Sequence, residues 1–340
     1  VLFLCGLVCF WEDYLTSPQT KTTEMREALL ALDHIRLNFS EGGLFFLNVT
    51  IAFVMFGVAL NIKLDEFRDV FVKPKSFITG LISQFLILPA ITFLFIMVLK
   101  PTPTVALGMI LVAACPGGNV SNFLSSLAKG NIALSVSLTA FSTMIAMLMT
   151  PANFAFWGDL YINFYEKTGA TQLLRPIEIE FWQVVQTVFI LLGVPVALGL
   201  FVAKQFPRLT AKIKKPMQQI SFIIFILFVI ILLSANFSNF MQAIHLIFFI
   251  VLIHNILALA SGFFFSTAMG RPRVDRRSIT IETGIQNSGL ALVLMFNPKI
   301  FPPELELGGM AVVAAWWGVW HIISGLILAS LWARKPLAEQ

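Results

Sequence analysis

Ser278-Ile-Thr-Ile-Glu-Thr-Gly-Ile-Gln-Asn-Ser-Gly-Leu-Ala-Leu-Val-Leu-Met, residues 278–295, sets one carboxylate, Glu282, inside an apolar run. Thr283, Gln286, Asn287 and Ser288 follow it closely, with Gly284 among them and Gly289 just after. No Lys or Arg occurs in the run after Arg277. An ionised carboxylate at bilayer depth costs about 2.5–3.5 kcal/mol on insertion scales unless a cation or a set of polar groups is paired with it. The partner required here is a bound cation or a proton, which makes Glu282 the first functional candidate.

That the run lies in lipid follows from composition. Of 340 residues, 58% are hydrophobic and 12% charged, and 34 are Phe. Mean hydropathy is +0.86. So little polar surface cannot cover a water-soluble globule, and the chain is predicted to be an all-α polytopic membrane protein. A helix needs about 20 residues to cross a hydrocarbon core of about 30 Å. Nine apolar windows of that kind occur, at about 43–62, 76–99, 104–127, 132–157, 181–203, 217–236, 242–269, 277–297 and 307–332. The opening Val1 to Trp11 is apolar but too short to cross, and the sequence does not begin with Met. It reads as the clipped end of a first, tenth-in-number span; the rival reading is the core of a signal peptide.

Charge supports ten spans. One set of loops then holds sixteen basic residues, at 63, 68, 73, 75, 129, 204, 208, 212, 214, 215, 271, 273, 276, 277, 334 and 335. The other holds seven, at 21, 26, 36, 100, 167, 175 and 299. The positive-inside bias places the first set and the C-terminus in the cytoplasm. The net charge of +5 is that asymmetry, so no nucleic-acid partner is implied. Cys5, Cys9 and Cys115 lie in apolar segments without metal-ligand spacing, and the four His are scattered, so neither a disulfide framework nor a Cys/His metal site is implied. The glycosylation pattern at Asn38 and Asn48 reads as chance.

Two windows are interrupted. In 104–127, Pro116, Gly117 and Gly118 remove a helix hydrogen bond and supply two residues of minimal helix propensity, with Asn119, Ser121 and Asn122 just beyond. A half-helix restarting near Asn119 would aim free N–H groups at an anion. The alternative is a simple proline kink. The second interruption is the polar, Gly-containing centre of 277–297. The two fall in corresponding places of five-span halves, and an odd number of spans per half makes the halves inverted. Paired broken helices in inverted repeats mark a transporter's midplane site.

These residues carry a resemblance. Cys115-Pro-Gly-Gly-Asn-Val-Ser-Asn, Leu127-Ala-Lys-Gly-Asn-Ile-Ala-Leu-Ser-Val-Ser-Leu-Thr, Ser142-Thr, Thr150-Pro, Ile281-Glu-Thr-Gly-Ile-Gln-Asn-Ser-Gly-Leu-Ala and Val319-Trp-His resemble the bile acid:sodium symporter family, from about Phe45 to Trp332. The resemblance implies ten spans in two inverted five-helix repeats, with discontinuous fourth and ninth spans crossing at the membrane midplane. It implies a panel domain at 1–62 and 181–236 and a core domain at 73–157 and 242–333. Two sodium ions would bind behind the crossing, and an organic anion in the cleft between core and panel.

Carried over by position, the resemblance assigns the first sodium to Ser121, Asn122, Ser135, Thr139 and Glu282. The second falls to Gln84, Glu282, Thr283, Ile285 and Gln286, with Thr283 and Ile285 acting through main-chain carbonyls. Sodium is a hard cation that prefers such oxygens. Isolated Ser and Thr in membrane helices more often bond their own backbone, whereas Gln84 among apolar neighbours needs partners. The substrate positions are Gly118, Asn119, Asn287 and His321, and His321 reads equally as a packing histidine. Asn119 stands where the family often has Thr, and Ile322 where Asn is common, so the anion's headgroup chemistry is left open. Bile acids, pantoate-like acids and sulfated anions all fit. The expected activity is symport by alternating access, the protein working as a monomer in a bacterial plasma membrane. The competing readings are a proton-coupled transporter with Glu282 as carrier, and an intramembrane enzyme using Glu282 as acid/base. No HExxH, GxSxG or intramembrane Asp pair supports the enzyme.

Overall fold

A computed structural model describes residues 74–118, 120–167, 189–235, 237–297, 300, 301, 305 and 307–334, with scattered positions at 30, 49–60 and 182–186. The expected first span and most of the second lie outside the described residues. The described elements are helices, in the order α1 Pro74–Leu99, α2 Pro103–Ala114, α3 Val120–Leu127, α4 Ile132–Lys167, α5 Val194–Gln205, α6 Pro207–Ala235, α7 Phe237–Ala268, α8 Arg273–Gly284, α9 Ser288–Met295 and α10 Gly308–Ala333. Pro74, Pro103 and Pro207 each open a helix, where the missing N–H costs nothing. Among the described residues, four helices have the length and apolarity to cross a membrane: Pro74–Leu99, Ile132–Tyr165, Ile247–Ala268 and Gly308–Ala333.

The interrupted windows are each two helices. Residues 103–127 form α2 and α3, of twelve and eight residues, and residues 273–295 form α8 and α9, again twelve and eight. Each pair sits between long helices, so one order of elements occurs twice: α1, α2, α3, α4, then α7, α8, α9, α10. The two gaps meet. Gly117 and Gln286 form an antiparallel bridge. Gly118 N–H donates to Ile285 O at 2.8 Å, and Asn287 N–H to Pro116 O at 2.8 Å. Each unwound strand thereby satisfies backbone groups that the other's missing helical turn leaves free, the condition for irregular backbone away from water.

The core surrounds this junction. Every residue of α2 is buried, consistent with its being apolar on all faces. Trp317 of α10 is fully buried, and its ring lies 4.7 Å from that of His254 on α7, whose Nε2 pairs with the Thr92 hydroxyl of α1 at 2.7 Å. The loop ends sort by charge. Lys75 beside Ser76, Lys129 beside Asn131, and the 271–277 segment are drawn together, because Ser76 Oγ and Asn131 Nδ2 both donate to Asp275. The Arg277 guanidinium lies 5.6 Å from the Trp332 ring centroid, next to Arg334. Four loops that the charge count assigned to one side therefore share one end of the molecule.

Candidate ion and anion site

Glu282 lies two residues before the end of α8's helical backbone and is 1% exposed. Its Oε1 accepts from Ser121 Oγ at 2.5 Å, Ser135 Oγ at 2.5 Å and Thr139 Oγ1 at 2.9 Å. Ser121 comes from the restarted helix α3; Ser135 and Thr139, four apart, share a face of α4. Asn122 Oδ1 completes the group, 3.0 Å from Ser135 Oγ and 3.2 Å from Thr139 Oγ1. All five residues expected at the first sodium position are thus in one cluster. Five oxygens converge there on three hydroxyl protons, with no cationic side chain among their partners in the described residues. That surplus of lone pairs is the chemistry of a hard-cation site.

The other carboxylate oxygen faces a different set. Glu282 Oε2, Gln84 Oε1 and Gln286 Oε1 are buried without a hydrogen-bond partner. Their amide nitrogens are each engaged elsewhere: Gln84 Nε2 donates to Glu282 O at 3.3 Å and Gln286 Nε2 to Thr283 O at 2.8 Å. Three buried acceptors left open in one neighbourhood fit a second cation, since a buried unpaired acceptor otherwise costs about 1–3 kcal/mol. Thr283 O and Ile285 O each accept one hydrogen bond already, from Gln286 Nε2 and Gly118 N, and a carbonyl retains a second lone pair.

Local sequence explains how Gln84 reaches this place. Ser83–Ile87 is a π turn in α1, with Leu88 N–H bonded to Ser83 O. Pro89 cannot donate to Phe85 O and its ring crowds that carbonyl, so the turn widens. Gln84 sits in the widened turn, and Ser83 Oγ donates at 2.8 Å to Thr283 Oγ1, whose own proton goes to Ile279 O. Gly117 completes the packing: a Cβ there would lie 2.6 Å from Glu282 Oε2 and 2.7 Å from Gln84 Nε2. Gly118 is different, because a Cβ would find only ordinary contacts at 3.6 Å and beyond.

The expected anion positions are less uniform. Asn119 lies outside the described residues. Gly118 and Asn287 flank the paired gaps and are partly exposed. Asn287 caps α9, its Oδ1 accepting from Leu290 N at 3.0 Å. His321 is buried with Nδ1 donating to Trp317 O at 2.5 Å, one turn back on α10. A neutral imidazole so held offers Nε2 as an acceptor, suited to a hydroxyl and not to a carboxylate.

Asn255 escaped the sequence reading. Buried on α7, it donates Nδ2 to Gly284 O at 2.8 Å and accepts from Ser324 Oγ at 2.5 Å, tying the end of α8 to α10. An amide in an otherwise apolar span was the available signal.

Comparison with known proteins bears on this arrangement of crossed half-helices around a buried carboxylate. Residues 48–243 match the Sodium Bile acid symporter family. The chain is 32% identical over 312 residues to the sodium-dependent transporter YocS of Bacillus subtilis (strain 168), covering 89% of each protein. It is 31% identical to a chloroplastic sodium/metabolite cotransporter of Arabidopsis thaliana, covering 84% of this chain and 66% of that one. It is 26% identical to the ileal sodium/bile acid cotransporter of Cricetulus griseus, covering 74% of this chain and 70% of the relative. The class these relatives define is the sodium-dependent membrane transporter. The chain belongs to the sodium bile acid symporter family, and it is not an enzyme.

Proposed function

We propose that the protein imports a monovalent organic anion together with two sodium ions, by alternating access. The observation that carries this is the division of labour at Glu282, where Oε1 meets the hydroxyls of Ser121, Ser135 and Thr139 while Oε2 lies open beside Gln84 and Gln286. One ion at each oxygen would neutralise the carboxylate and order both gaps. Ordering the gaps would fix the backbone around Gly118, Asn119 and Asn287 against which an anion's carboxylate or sulfonate binds. Sodium and anion then bind cooperatively, because each stabilises the same arrangement of the crossed strands.

The wider frame is ten spans in inverted repeats, with a core of 73–157 and 242–333 rocking against a panel of 1–62 and 181–236. The twice-occurring order of helices supports it. The basic end, including the C-terminus, is assigned to the cytoplasm of a bacterial plasma membrane, and the monomer is the working unit. Bile acids and pantoate-like acids are the substrate classes to test first, given what the mammalian relative's name says it carries. A proton on Glu282 would satisfy Oε1 or Oε2 but not the remaining oxygens, which favours sodium as the coupling ion.

Uptake of taurocholate and of pantoate into proteoliposomes, under sodium or proton gradients, tests this reading. Accumulation driven by sodium and lost in Glu282→Gln is the expected result; accumulation driven by a proton gradient in sodium-free medium would replace it with proton coupling.

A further inference from the structure

Below the ion cluster, toward the basic end, a polar seam continues where α3, α4 and α8 meet. On α8, Asp275, Ser278 and Glu282 are spaced three and four apart and share a face. On α4, Ser135 and Thr139 continue the face begun by the cap residue Asn131, whose Oδ1 accepts from Leu134 N at 3.1 Å. On α3, Ser125 is one turn beyond Ser121. The three faces are joined at the basic end, with Asn131 Nδ2 2.8 Å from Asp275 Oδ1, Asn131 N 3.2 Å from Val274 O, and Ser278 Oγ 2.8 Å from Asn131 O.

Two features of this seam are not explained by packing. Asp275 is 1% exposed, yet its partners are the neutral Ser76 Oγ at 2.6 Å and Asn131 Nδ2. A buried carboxylate answered only by neutral groups is costly to retain. Ser125 is fully buried and its hydroxyl has no partner, although a Ser in a helix can ordinarily bond back to its own backbone. Gly130, in the turn between α3 and α4, packs against both α3 and α8: a Cβ there would be 2.7 Å from Ser278 Oγ and 3.2 Å from the main-chain Ser125 O. The α3–α4 turn is therefore pressed onto α8, and the seam is closed in this structure.

We infer that this seam is the release route of the first sodium toward the basic face, with Ser125 as an intermediate oxygen and Asp275 as the exit ligand. Seven residues of α8 separate Glu282 from Asp275, about 10 Å at 1.5 Å per residue, so the ion passes from one carboxylate to another with hydroxyl and carbonyl oxygens between them. Passage requires the α3–α4 turn to lift from α8, breaking the Asn131–Asp275 bond. The sodium that leaves Glu282 supplies Asp275 with the cation that the closed seam lacks. The inference rests on the sodium-symport reading.

Sodium concentration jumps applied to singly oriented proteoliposomes on a solid-supported membrane test it, with sodium alone as the probe. The current relaxation on jumps from the basic face is expected to slow about tenfold in Asp275→Asn and several-fold in Ser125→Ala. Jumps from the opposite face should change less than twofold. Ser125→Ala removes no hydrogen bond, so a merely structural seam would leave both faces unaltered, and that result overturns the inference. Equal slowing from both faces in either variant overturns it too, because it would mark a general loss of packing. A wild-type protein that gives no sodium-dependent current would instead overturn the symport reading, and this inference with it.

Discussion

Glu282 is held by neutral groups, and that fixes what its substitutions should do. Glu282→Gln keeps the shape and an acceptor for the Ser121, Ser135 and Thr139 hydroxyls while removing the charge. Its sodium-induced thermal stabilisation should vanish, while melting without sodium should occur at the wild-type temperature or above it, since an uncompensated buried carboxylate no longer has to be accommodated. A variant that melts well below wild type in sodium-free buffer would show Glu282 to be chiefly structural. Gly117 and Gly118 provide a paired comparison. Gly117→Ala places a methyl 2.6 Å from Glu282 Oε2 and should weaken sodium binding at least tenfold, or about 1.4 kcal/mol; Gly118→Ala meets only ordinary contacts and should bind sodium normally. Isothermal titration with sodium on both proteins decides it, and equal affinities would contradict the close approach at Gly117.

Among the elements, the π turn and the two gaps govern the site. Pro89→Ala restores an N–H that can bond Phe85 O and should let Ser83–Ile87 relax toward an ordinary α-helix, rotating Gln84 away from Glu282. Sodium affinity measured by thermal shift should fall about tenfold with no loss of sodium-free stability, and an unchanged sodium midpoint would show that the turn does not place Gln84. Both gaps were legible in sequence because Pro116-Gly117-Gly118 and the polar centre of 282–289 violate helix chemistry locally. The π turn was not, because Pro89 reads as well for a kink, and whether a turn tightens or widens depends on what packs beside it. Asp275 was not singled out in the sequence, and its burial emerges only when Asn131 and Ser76 close over it. The proposed ligand positions Ser121, Asn122, Ser135, Thr139 and Gln84 came from the family resemblance, not from spacing; spacing alone would have left the Ser and Thr bonded to their own helices.

For the whole molecule, coupling is a matter of charge. Two sodium ions with one monovalent anion, the stoichiometry proposed above, would carry one net positive charge inward, for which the membrane potential contributes about 2.3 kcal/mol per 100 mV. Uptake into proteoliposomes should therefore rise when a potassium diffusion potential makes the interior negative, and potential-independent uptake would indicate one sodium per anion. The charge sorting of the loops, with Lys75, Lys129 and the 271–277 segment at one end, was legible from basic-residue counts, whereas the meeting of the two gaps needed three dimensions. The most direct measurement is equilibrium binding of radioactive sodium to the purified protein, wild type against Glu282→Gln and Gln84→Ala. Two ions bound by wild type, one by Gln84→Ala and none by Glu282→Gln is the expected pattern; undiminished sodium binding by Glu282→Gln would contradict the assignment of both ions to this carboxylate.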